Sequence, residues 1–74
     1  MMDIVKDNVC RLEFVDVCGN VFRFPFYVGN DLCLVRVCAE HAFHNYQPSI
    51  NKIELVKLYR GNSYIAAYNG RMWI

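Results

Sequence analysis

Residues 52–74 read KIELVKLYRGNSYIAAYNGRMWI. Three short runs rich in Leu, Val, Ile and Tyr are separated by Gly61-Asn62 and by Asn69-Gly70, and such dipeptides between β-forming runs mark hairpin turns. The stretch predicts a β-meander with strands at 52–59, 63–68 and 71–74, and Asn69-Gly70 suits a type I′ turn. With two-residue loops at both turns, the side-chain period of two divides the strands into two faces. Val56, Leu58, Ile65, Ala67, Met72 and Ile74 share one; Leu55, Lys57, Tyr59, Tyr64, Tyr68, Arg71 and Trp73 share the other.

Upstream, residues 9–17 and 21–28 are rich in Val and Phe and flank the turn signal Cys18-Gly19-Asn20. A two-residue loop here would set Arg11 and Glu13 beside Phe22, Phe24 and Phe26. A three-residue loop instead gathers Cys10, Leu12, Phe14, Phe22, Phe24, Phe26 and Val28, leaving Arg11, Glu13, Arg23, Pro25 and Tyr27 opposite. The second register is the expected one. It leaves Asp16 at the turn end of the apolar face, a position that calls for solvent.

Gly29-Asn30 closes this hairpin, and Asn30 or Asp31 can cap a helix by accepting from its first free N–H groups. On a helical projection Leu32, Leu34, Val35, Cys38, Ala39, Ala42, Phe43 and Tyr46 fill one arc, while Arg36, Glu40 and His44 form a polar stripe. Pro48 stops the helix. The β-branched content of residues 32–38 also suits a strand, which would leave only residues 39–46 helical. The expected fold is one small two-layer α+β domain over residues 1–74, an antiparallel sheet with one helix in the order ββαβββ.

Composition agrees: 55% hydrophobic against 20% charged residues lies far from the signature of disorder, so 74 residues should fold as a single domain. The formal net charge of +1 supplies no global attraction to a polyanion. The charge is uneven, with acids concentrated before residue 41 and Lys52, Lys57, Arg60 and Arg71 facing only Glu54 after it. No basic region precedes an apolar run at the start, and no stretch reaches the roughly 18 apolar residues that span a bilayer. A cytoplasmic location is expected, that of the host if the chain is phage-encoded, with no membrane partner. In that setting Cys10, Cys18, Cys33 and Cys38 read as reduced thiols.

Chemistry-bearing constellations are thin. Cys38, His41 and His44 recur at steps of three with Cys33 nearby, but Cys38 and His44 stand about 120° apart around a helix of 3.6 residues per turn. No metal, cofactor or catalytic residue is expected, and no enzymatic activity. The face carrying Leu55, Lys57, Tyr59, Tyr64, Tyr68, Arg71 and Trp73 is the candidate binding surface, because Tyr, Trp and Arg carry much of the binding energy at protein interfaces. The expected function is a small non-enzymatic protein-binding module that occupies a surface of a larger partner. Its format resembles that of the small inhibitors and accessory proteins encoded by phages and mobile elements, anti-CRISPR proteins among them. The alternatives are nucleic-acid binding by an aromatic and basic sheet face, and a homo-oligomeric structural protein.

Overall fold

Along residues 10–16 every second side chain is buried, Cys10, Leu12, Phe14 and Asp16, while Arg11, Glu13 and Val15 are half-buried. That alternation is the strand period expressed against one covered face. A computed structural model of the chain describes residues 9–25 and 28–74. Its elements are β1 (Cys10–Asp16), β2 (Val21–Arg23), α1 (Leu32–Asn45), β3 (Ile53–Arg60) and β4 (Ser63–Tyr68). The strands form one antiparallel sheet in the order β2-β1-β3-β4, with α1 packed on one side. The expected two-layer α+β fold is the observed one. Residues 71–74, read as a last strand, are held by a single bridge, Tyr68 to Trp73, with paired backbone bonds between Ala67 and Ile74. Phe26 and Tyr27 lie outside the described residues.

The hairpin registers differ from expectation in a regular way. The first hairpin pairs Val15 with Val21 and Asp16 N–H donates to Asn20 O, so the loop has the expected three residues but is Val17-Cys18-Gly19, one residue earlier than Cys18-Gly19-Asn20. At the last turn Asn69 N–H donates to Met72 O, so the central pair is Gly70-Arg71 rather than Asn69-Gly70. Gly70 has φ +95° and Arg71, like every other described non-glycine residue, does not have positive φ, the φ pattern of a type II′ rather than a type I′ turn. A Cβ on Gly70 would also fall 2.6 Å from the Phe43 ring. Both shifts are even, so neither moves a side chain to the other face.

The helix begins at Asp31, whose carboxylate accepts from the N–H groups of Cys33 and Leu34. The whole run from Leu32 is helical, which decides between the two readings of that segment. Val35, Ala39 and Ala42 are fully covered and meet Cys10, Leu12, Phe14, Ile53, Val56 and Leu58 in the core. Leu34, assigned to the core arc, is instead 66% exposed. At 3.6 residues per turn it lies about 100° from Val35, beyond the arc that one sheet face can cover. Beyond β2 comes Pro25; Asp16 and Phe24 both donate into this ladder, which turns Val21, Arg23 and Pro25 outward, so the missing proline donor costs no ladder bond.

Asp16 is where expectation and structure differ most: its side chain is fully buried, not solvated. A bulge makes this possible, since Val15 pairs with Leu55 but Asp16 with Ile53, leaving Glu54 as the extra residue. The Asp16 carboxylate accepts from the backbone N–H groups of Cys18 and Asn20, each at 2.9 Å. It also accepts from Asn20 Nδ2 at 3.0 Å, Ser49 Oγ at 2.7 Å and Asn51 Nδ2 at 3.2 Å. Burial alone would raise its pKa, but the bonds from Ser49, Asn20 and Asn51 outweigh that and hold the carboxyl well below the usual range. A group depressed in the folded state stabilises fully above its unfolded value, about 3.9, and loses that contribution as pH falls below it. Asp16→Ala should therefore lower the melting temperature at pH 7 well beyond the effect of the exposed Glu54→Gln. The gap between Asp16→Ala and the unsubstituted chain should narrow in melts below about pH 4.

Candidate interaction face

The face of the sheet away from α1 is built in rows by the observed register. Val21, Val15 and Leu55 make the first row. Arg23, Glu13, Lys57 and Ala67 make the second, and Arg11 with Tyr59 and Tyr64 the third. The backbone pairs Ala67–Ile74 and Asn69–Met72 carry Ile74 and Met72, both more than half exposed, onto the same side. Among the described elements α1 lies on the opposite side; on this face Ala67 is buried, Val15, Glu13, Leu55, Lys57 and Tyr59 are half-buried, and Val21, Arg23 and Tyr64 are exposed. It presents an apolar row, a charged row and a pair of tyrosines in succession.

The third row is the most ordered part. The Arg11 guanidinium lies 4.2 Å from the centroid of the Tyr59 ring and forms an ion pair with Glu13. Tyr59 meets Tyr64 edge-on at 5.7 Å, and Tyr64 is 54% exposed. Arg11 and Tyr59 sit opposite one another on the two central strands, and Tyr59 is paired in turn with Tyr64 on β4. Rigid placement of this kind lowers the ordering cost of binding.

The seven residues assigned to the binding surface are not all on it. Leu55, Lys57, Tyr59 and Tyr64 share the outer face as expected. Beyond Tyr64 the register changes by one: Tyr59 pairs with Tyr64, but Leu58 pairs with Ala66, so Ile65 is a bulge. An odd shift exchanges faces. Tyr68 therefore points to the helix side, where it is 9% exposed and meets the rings of Phe43 and Trp73. Trp73 follows it there. Its Nε1 donates to Glu40 at 2.7 Å, and the Arg36 guanidinium lies 4.8 Å from its ring centroid. The polar stripe of α1 thus receives the C-terminal segment. Arg71, exposed at the turn tip, belongs to neither face; its N–H donates to Asn69 Oδ1.

The remaining candidates stay apart. Among the described residues no group of three or more His, Cys, Asp or Glu is placed to hold a metal ion. His41 and His44 are exposed, and His44 stacks edge-on with Phe43. All four cysteines are free, Cys10 buried, Cys38 half-buried, Cys18 and Cys33 exposed. An apolar groove of about 440 Å³, missed when Leu34 was assigned to the core, runs along α1 past Leu34, Val37, Cys38 and His41 to Phe24 and Tyr46. No helix among the described residues is long and apolar enough to cross a membrane. Comparison with protein-family models, with curated proteins and with solved structures finds no match.

Two outcomes follow from these placements. Trp73→Ala should act as a core truncation and cost about 2–3 kcal/mol, a drop in melting temperature of roughly 10 °C or more, whereas Tyr64→Ala should leave the melt nearly unchanged. Titration with a thiol reagent should modify Cys18 and Cys33 first and Cys38 more slowly, with Cys10 reacting only on unfolding; early loss of Cys10 would contradict the burial order.

Proposed function

We propose that this chain is a small non-enzymatic protein-binding module that acts by occupying a surface of a larger partner, in the format of inhibitor and accessory proteins. The observation that carries the reading is the outer sheet face, where Tyr59, Tyr64 and Arg11 stand in contact at one end and the apolar Val15, Leu55 and Val21 at the other, with a charged row between them. Tyr and Arg are among the residues that carry most of the binding energy at protein interfaces. Among the described residues α1 packs against the other side of the sheet, which supports this reading.

Displacement of Tyr68 and Trp73 to the helix side narrows the site to Arg11, Leu55, Lys57, Tyr59 and Tyr64. It also separates binding variants from stability variants. Affinity capture of the tagged protein from lysate of its native host, with nuclease treatment, should recover a stoichiometric protein. The double variant Tyr59→Ala with Tyr64→Ala should lose that protein at least tenfold while keeping its circular dichroism. A partner retained by the double variant would overturn this site, and recovery of nuclease-sensitive material alone would favour nucleic-acid binding.

A further inference from the structure

The outer face carries an excess of positive charge that the described residues do not neutralise. Its charged residues are Arg11, Arg23 and Lys57 against Glu13. Glu13 is already paired with Arg11, and among the described residues neither Arg23 nor Lys57 lies within ion-pair distance of a carboxylate. Of the other described acids, Asp16 lies within its buried network, Asp31 at the helix cap and Glu40 on Trp73, and the exposed Glu54 makes no ion pair with a described residue. Charge of one sign on an interface is matched by the opposite sign on the partner.

Arg11 sharpens this. Its guanidinium has five N–H donors in a planar fork, and Glu13 receives a bond from only one of its terminal nitrogens, Nη1. The Tyr59 ring holds it in place at 4.2 Å, and the side chain remains 30% exposed. A partly exposed guanidinium with N–H donors to spare is suited to a second carboxylate by charge-assisted bonds. We propose that the face receives an acidic segment of its protein partner, one partner carboxylate bound at Arg11 and others facing Lys57 and Arg23. This rests on the protein-binding reading above and names the partner's chemistry.

Two other occupants fit less well. A second copy would bring the same net positive face against itself. Single-stranded nucleic acid is bound largely by stacking on free rings, but Arg11 covers one side of Tyr59, and the two tyrosines are engaged edge-on with each other.

The test is selection of a random peptide library displayed on phage against the immobilised protein, followed by affinity measurement with synthetic copies of the enriched peptides. The expected result is enrichment of Asp- and Glu-bearing peptides whose affinity falls at least tenfold with Arg11→Ala and with Lys57→Glu, and falls as salt is raised. Arg11→Lys, which keeps the charge and loses the fork, should not restore binding. Lys57→Glu and Arg23→Glu lie away from the Tyr59 contact and keep the test valid if Arg11→Ala weakens the fold. Neutral or basic peptides that still require Tyr59 and Tyr64 would overturn the acidic partner and spare the binding face. Peptides indifferent to all these changes, or no enrichment, would overturn both. Binding of a labelled single-stranded oligonucleotide lost with Lys57→Glu, or a dimer in sedimentation lost with Arg11→Ala, would overturn the proposal in favour of those occupants.

Discussion

A carboxylate withdrawn from water is the constraint on which the described structure turns. Asp16 ends β1, and its two oxygens hold the β1–β2 turn through Cys18 and Asn20 and the α1–β3 loop through Ser49 and Asn51. Two loops distant in sequence are joined through one side chain. Gln47 adds bonds to the carbonyls of Ser49 and Asn51, so the loop reaching Asp16 is itself braced. A buried charge is tolerated only when its lone pairs are filled. The same network that satisfies Asp16 therefore fixes the angle at which the chain leaves α1 and enters β3.

How much of this was legible in the sequence depends on parity. In the first hairpin the three-residue loop starts one residue early, which moves the register by an even number, so Phe14 and Phe22 stayed together on the core side. At the last turn Gly70-Arg71 replaced Asn69-Gly70, again an even change, and Tyr68 and Trp73 stayed together. The polar and apolar residues of β1 alternate, which ties register to burial. Residues 64–68, Tyr-Ile-Ala-Ala-Tyr, do not alternate, and nothing in their pattern opposes an extra residue. The bulge at Ile65 was therefore invisible, and with it the passage of Tyr68 and Trp73 to the other side. The burial of Asp16 was hidden for a different reason: its partners Ser49 and Asn51 are more than thirty residues away.

The two faces consequently use their aromatic residues differently. On the helix side Phe14, Phe24 and Tyr46 pack ring against ring, and Tyr68 with Trp73 closes the end of the core beside Phe43. There the rings contribute buried area. On the outer side, among the described residues, the Tyr59 ring meets that of Tyr64 and the Arg11 guanidinium, and Tyr64 stays more than half exposed. Arg36 and Arg11 make the comparison concrete: each covers an aromatic ring, but Arg36 clasps a ring that closes the fold, and Arg11 braces one that faces out.

The Ile65 bulge has a further consequence for how this chain can change. A substitution in β4 alters one side chain, whereas the presence or absence of the bulge decides which half of the strand meets water. With its length kept and the bulge flattened, the segment would pair Tyr68 with Leu55, send Tyr68 and Trp73 outward, and open the core beside Phe43. Loss of Ile65 itself would remove the bulge and leave Tyr68 opposite Val56, on the helix side. At its present length the strand thus depends on one surplus residue, held out of the ladder, to keep two aromatic rings in the core.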